Sequence, residues 1–268
     1  MLSNHSSSTT TTRLNFFTTI KMSKVSQIST TTPYPFPHNL TFSPTTTALL
    51  IIDMQADFLS PGGYLSSQHY SLARFNPLIP RLQSLLHTFR RARFPIYHTR
   101  EGHMPDMSTV SSRELHRSSV NGARIGSQGP LGRLLIRGKK GHEIIEELRP
   151  LEGEVVIDKP GRGAFTHTEL DASLRARGIA NLVVCGVTAD ACVSSTVREA
   201  SDRGYDVCVL EDGVESVSED LKTWVLEAIK IEGGLFGVTG TCESMEEAVK
   251  TWISDTDELE DVVEVRSR

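Results

Sequence analysis

The sequence predicts a single three-layer α/β domain, a parallel sheet with helices on both faces. Three observations point there. Short, continuous apolar runs recur along the chain, the pattern of strands buried on both faces. Segments with apolar residues at helical spacing separate them. The connections are mostly short turns, so strand and helix alternate as repeated β-then-α units.

Residues 48–52 (ALLII) form the first such run and end at Asp53. Residues 77–93 follow as a helix, with Leu78, Leu82, Leu85, Leu86 and Phe89 on one face. Residues 95–98 read as a second strand, and residues 99–140 as a long irregular stretch. Residues 154–157 and 182–186 are two further buried strands around a helix at 168–177, which stops at Gly178. A helix at 191–203 ends at Gly204, and the strand 206–210 comes next. A helix at 221–231, a short strand at 236–239 and a helix at 245–253 complete the domain, which spans 45–254.

The ends of the chain differ from this core. Residues 1–52 contain no Asp or Glu, and Arg13, Lys21 and Lys24 are their only formal charges. Ser and Thr dominate there, so residues 1–44 are expected to be a disordered extension, dispensable or a mitochondrial targeting peptide. The tail 255–268 is acidic and expected to be solvated.

Composition narrows the function. The 268 residues are 38% hydrophobic with a net charge of −5, so no basic field suggests a nucleic acid or anionic membrane as partner. No apolar run reaches the ~20 residues that span a bilayer. The four cysteines, Cys185, Cys192, Cys208 and Cys242, include no C-x-x-C pair. That favours a reducing, cytoplasmic setting over a disulfide scaffold or a zinc site.

In an open parallel sheet, ligands sit beyond the carboxyl ends of the strands. No glycine-rich dinucleotide turn follows the first strand, and no G-x-S-x-G elbow occurs anywhere. Three strand ends carry reactive groups instead: Asp53, Lys159 and Cys192. A thiol in the first turn of a helix, near an ammonium, is expected to favour its thiolate, and a carboxylate can pass a proton to a leaving amine. Nucleophile, cation and acid on one sheet edge make a cysteine-hydrolase constellation.

At these residues the chain resembles the isochorismatase-like cysteine hydrolase superfamily, a group with a Rossmann-like architecture. The matching segments are 49–58 (LLIIDMQADF), 98–103 (HTREGH), 157–165 (IDKPGRGAF), 186–193 (GVTADACV) and 198–212 (REASDRGYDVCVLED). Residues 33–37 (PYPFP) and 129–133 (GPLGR) draw the likeness toward its biuret hydrolase and ureidoacrylate amidohydrolase members. The resemblance implies Cys192 as nucleophile, Asp53 as general base and Lys159 as the third catalytic member. It also implies a cis peptide at Val187–Thr188, an oxyanion hole from the backbone N–H groups of Thr188 and Cys192, and substrate contacts from Phe58 and Glu232. Nicotinamidases carry a zinc motif where this chain has Glu101-Gly102-His103, but no second histidine follows within 104–108, so no metal or other cofactor is expected. The expected substrate is a small amide, urea or carbamoyl compound, and the expected assembly a homo-oligomer, a tetramer by family. The rival readings are an isochorismatase-type vinyl ether hydrolase and a non-catalytic binding member of the fold.

Overall fold

The run at residues 48–52 becomes β1 (Thr47–Ile52), buried along its whole length, in a computed structural model that describes residues 23–254. Two short helical turns follow, α1 (Ala56–Leu59) and α2 (Tyr64–Ser67), and then the long helix α3 (Leu78–Arg91). After β2 (Ile96–Glu101), the stretch without periodicity contains α4 (Ser112–Val120) and a small hairpin, β3 (Gln128–Gly129) with β4 (Gly132–Arg133). Strand and helix then alternate strictly: β5 (Val155–Lys159), α5 (Leu170–Ala176), β6 (Asn181–Val187) and α6 (Ser194–Asp202). The series closes with β7 (Asp206–Glu215), α7 (Glu219–Gly234), β8 (Val238–Gly240) and α8 (Cys242–Lys250).

The main sheet has the order β5-β2-β1-β6-β7-β8, with every neighbouring pair parallel. From β1 the chain builds outward through β2 to β5, then returns to lay β6 on the other side of β1. The order therefore reverses between β1 and β6, where an open α/β sheet leaves its ligand crevice. Strand alternation feeds two cores. Leu49 and Ile51 of β1 pack on one face with Leu82, Phe89, Met245 and Val249 of α3 and α8. Ala48, Leu50 and Ile52 pack on the other with Leu174, Val197, Val225 and Ile229 of α5, α6 and α7. The single α/β domain expected from the sequence is what forms.

The differences have local causes. β2 and β5 run past their apolar stretches because their charges pair across the ladder: Arg100 faces Asp158, with Nε 2.7 Å from Oδ1. Lys159 is consequently the last residue of β5 rather than a residue beyond it. The helix expected to start at Ala191 begins as a wide π-turn over Ala189–Val193, continued by α6.

Residues 23–44, expected to belong to a disordered extension, are packed as a strap against the domain. Phe36 and Phe42 are buried in the core beside Ile28. The backbones of Thr32 and Thr239 exchange hydrogen bonds of 2.9 and 2.8 Å, an antiparallel bridge onto β8. Few aromatics among many Ser and Thr supply the apolar surface, which average composition conceals. The calls on 1–22 and on the tail 255–268 lie outside the described residues.

Candidate active site

Asp53 leaves β1 with a left-handed φ of 49°, a conformation that Asp tolerates better than most side chains. Its Oδ1 accepts a 2.6 Å hydrogen bond from the Thr99 hydroxyl, which in turn accepts from the Asp53 N–H at 3.2 Å. Oδ2 lies 2.7 Å from Nζ of Lys159, and both side chains are fully buried. Lys159 also donates to the Gly161 carbonyl at 2.7 Å and lies 3.5 Å from Oε2 of Glu101. Glu101 and Lys159 are register partners, the closing residues of β2 and β5.

The third expected residue arrives from β6. At Gly186 the strand takes a φ of 111°, and a Cβ there would lie 2.1 Å from the Ile52 carbonyl oxygen. Only glycine lets β6 press so closely on the end of β1. The pairing with β7 slips in register between Val184 and Gly186, and the Val187–Thr188 peptide is cis, as the resemblance implies. The π-turn then presents Cys192, 5% exposed, with Sγ donating to Oε2 of Glu101 at 3.2 Å. Asp53, Lys159 and Cys192 thus meet at the crevice between β1 and β6.

Glu101 is the group the sequence reading did not assign to this cluster. It was attached only to the zinc-like triplet with His103. Asp53, Glu101 and Cys192 each offer one potential metal-ligand atom within 4.8 Å of the others. Lys159 already places a fixed ammonium beside both carboxylates. His103 is buried and its Nδ1 lies 3.3 Å from the Thr109 hydroxyl. Burial holds it below the ordinary imidazole range.

Burial dominates the electrostatics. It pushes the Cys192 thiol well above its ordinary range; Lys159 pulls the other way, while Asp53 and Glu101 add to the rise. The thiolate expected from the helix terminus and the ammonium is therefore not the resting form. Burial and two carboxylates outweigh one cation. Burial raises Asp53 as well, against the pull of Lys159. For Glu101 burial acts in the same sense, but Lys159, Arg162 and the Cys192 thiol outweigh it and hold the carboxyl below its usual range. Lys159 stays an ammonium, because Asp53, Cys192 and Glu101 together overcome its desolvation.

Around this cluster runs a chain of charge. Arg162 donates to Oε2 of Glu114 at 2.6 Å, and Arg117 donates to the same carboxylate at 3.0 Å and to the Tyr64 hydroxyl at 3.0 Å. Phe58 packs edge-on to Tyr64, with ring centroids 6.4 Å apart. That places Phe58 beside the charged chain. Glu232 is elsewhere in character: exposed, at φ 52°, on the kink that ends α7. No hydrogen bond found among the described residues ties it to the cluster. Thr188 opens the π-turn, and its carbonyl accepts from Ala191 and Val193 at 3.2 Å each.

Two further contacts hold the site in place. Gln55 is fully buried; its amide donates to the carbonyls of Glu101 and His142 at 3.0 and 2.9 Å and accepts from the Glu101 N–H at 2.7 Å. Glu199 of α6 accepts from the Phe165 N–H at 3.1 Å and the Thr166 hydroxyl at 2.6 Å. A Cβ at Gly163 would lie 2.3 Å from the Glu199 carboxylate, so a side chain there would push away the loop that follows Lys159.

Comparison with known proteins follows the same lines. The family model described as Isochorismatase domain matches residues 47–244. Among solved structures, a cysteine hydrolase from Pseudomonas syringae pv. phaseolicola is similar at 25% identity and a TM-score of 0.66, over 79% of this chain and 95% of that one. An isochorismatase family protein from Desulfovibrio vulgaris is similar at 26% identity and a TM-score of 0.63, over 76% and 98%. N-carbamoylsarcosine amidase from Thermoplasma acidophilum is similar at 26% identity and a TM-score of 0.57, over 74% and 97%.

Proposed function

The chain belongs to the isochorismatase family of hydrolases, and from that premise we propose that it cleaves a C–N bond in a small amide, urea or carbamoyl compound through Cys192. The observation that carries this reading is the buried cluster of Cys192, Asp53, Lys159 and Glu101. The amidase among its structural neighbours supports the bond type, and the biuret- and ureidoacrylate-like segments of the sequence support the substrate class.

In the proposed reaction Cys192 Sγ attacks the substrate carbonyl and its proton passes to Asp53. Desolvation has raised this carboxylate, so it takes and returns a proton more readily than an ordinary aspartate. Lys159 balances the charge at Asp53 throughout. The oxyanion of the tetrahedral adduct is met by the backbone N–H groups of Thr188 and Cys192, at the start of a helix whose first N–H groups lack internal acceptors. As the C–N bond breaks, Asp53 delivers its proton to the departing nitrogen, which leaves as ammonia or an amine. Water then attacks the thioester on Sγ and gives a proton to Asp53. The C–S bond breaks, the acid leaves, and the proton returns to sulfur. Glu101 stays ionised and keeps the thiol oriented between turnovers.

The test is ammonia release from a panel holding biuret, a ureido acid, an N-carbamoyl amino acid and a simple carboxamide, run beside Cys192→Ala. Turnover of at least one compound is expected, with a loss of ~10³-fold or more in the alanine variant and an unchanged circular dichroism spectrum. Silence across the panel, or an alanine variant as active as the parent, would overturn the reading.

A further inference from the structure

We propose that Arg162, Arg117 and the Tyr64 hydroxyl form a carboxylate-binding subsite at the mouth of the crevice, so that the substrate is a carbamoyl or ureido acid and not a neutral urea. This rests on the C–N hydrolase reading and deepens it.

Arg162 stands three residues after Lys159, on the loop that Glu199 holds from α6. Its side chain is half-buried, at 31% exposure. Burial works against its charge, but Glu101 first, then Glu114 and Cys192, overcome that cost. The guanidinium is therefore within electrostatic reach of the nucleophile. Among the described residues, the acceptor found for it is Oε2 of Glu114 at 2.6 Å. A guanidinium carries a fixed fork of N–H donors, and one such bond leaves the rest of the fork unspent.

The counter-charge on α4 is short. Glu114 meets three guanidinium groups with one carboxylate: Oε1 accepts from Arg113 at 2.6 Å, and Oε2 accepts from Arg162 at 2.6 Å and Arg117 at 3.0 Å. Burial opposes the charge of Arg117, and Arg162 adds to that opposition, so these two cations are near neighbours. A clamp between α4 and the loop needs one arginine and one carboxylate. Three positive charges against one leave a surplus of two, which an entering anion relieves.

Tyr64 adds an independent observation. It is 5% exposed, and its hydroxyl accepts from Arg117 at 3.0 Å, but no acceptor for its own proton is found among the described residues. A buried phenol donates as well as accepts when a partner is present. Glu101 and Arg162 both act on this hydroxyl, so it belongs to the same crevice. A carboxylate matches the planar guanidinium fork and takes the phenol proton as a hydrogen bond. Glu101, ionised beside the thiol, repels that carboxylate from the inner end. The substrate is thereby oriented with its acid at the mouth and its carbamoyl carbon toward Sγ.

The test compares kcat/KM for 3-ureidopropionate and N-propylurea, which share a chain and differ in the carboxylate. The parent is expected to prefer the acid by ~100-fold or more, because a neutral urea leaves the fork unpaired. Arg162→Gln is expected to cut that ratio by ~10- to 100-fold, and Arg162→Lys to restore part of it. A merely structural role for Arg162 lowers both substrates alike and leaves the ratio intact. Tyr64→Phe removes a single oxygen and carries the test if Arg162→Gln does not fold; a smaller fall in the same ratio is expected. Calorimetry of 3-ureidopropionate binding to Cys192→Ala, with and without Arg162→Gln, reads the subsite without turnover, and binding at least ~10-fold weaker is expected in the double variant. A parent that cleaves the neutral urea as well as the acid overturns the subsite and leaves the hydrolase reading standing. Variants that keep the parent's ratio, or a double variant that binds the acid as tightly, also overturn it. Silence toward both compounds and the rest of the amide panel overturns the hydrolase reading, and the subsite with it.

Discussion

Burial opposes the Cys192 thiolate that one ammonium would stabilise, and the two neighbouring carboxylates add to it, so the thiol is held well above its ordinary range until substrate arrives. Alkylation by iodoacetamide, which needs thiolate, is therefore expected to be slow at neutral pH and to keep accelerating above pH 9. A rate that levels off near pH 7 would show a resting thiolate instead. Asp53 leads to a second expectation. Its folded pKa is raised, so the acid limb of kcat/KM should fall at a pH above the ordinary aspartate value, as the carboxylate that must accept the thiol proton is lost. A limb centred at or below pH 4 would contradict this. At this scale the sequence was informative where chemistry follows directly after a strand, as at Asp53 and Cys192. Glu101 was legible only as a member of a metal-like triplet. Its closeness to the thiol depends on where β2 ends relative to β5, and that register is a property of the pairing, not of either segment alone.

Among the elements, β2 is anchored from the turn that follows β1. Gln55 clamps both backbone groups of Glu101 and so sets how far the strand projects into the crevice. Gln55→Leu keeps the volume but strands one buried N–H and two buried carbonyls, a cost of about 2–4 kcal/mol. Urea denaturation should show that loss, and kcat should fall because the Glu101 carboxylate shifts. Wild-type stability in this variant would mean that the clamp is dispensable. The β1, β6 and β7 strands and helix α3 were readable from apolar runs and 3.6-residue spacing. α4 was not: Leu115 and Val120 are the only large apolar side chains in its nine residues, and its buried side chains are Glu114 and Ser118. The strap at 23–44 escaped for a related reason, since three or four anchoring side chains carry it and the other residues carry the composition.

Across the whole molecule, two buried groups place opposite pH dependences on stability. His142 is held down to about 4 by burial first, with Arg100 and Arg137 adding to it. The unfolded chain takes up that proton nearer pH 6.5, so stability falls as pH drops from about 6.5 toward 4. Asp57 is raised to about 6 by burial, against hydrogen bonds from the backbone of Leu135 and Tyr64. Here the native state binds the proton first, so stability rises as pH drops from about 6 toward 4 and is lost again as pH climbs through 6. The two windows overlap and partly cancel. Asp57→Asn removes the offset and should lose more stability than the parent between pH 6.5 and 4.5, by about 2 kcal/mol. Urea midpoints at both pH values read the difference directly. Parallel profiles in the two proteins would show that Asp57 titrates as an ordinary aspartate.

The bridge between Thr32 and Thr239 has a consequence for solubility. β8 is the last strand of the sheet, and an uncovered outer strand offers unpaired N–H and C=O groups to any other chain. Here the strap takes up both backbone groups of Thr239, so that the ladder ends in a lid instead of an open template. Removing residues 1–44 spares every residue of the crevice and leaves the segment 47–244 whole. Its expected defect is accordingly colloidal rather than catalytic: the shortened chain should turn over substrate when fresh, then scatter light progressively at 37 °C while the full chain stays clear. A shortened chain that stays clear through the same incubation would show that the edge needs no guard.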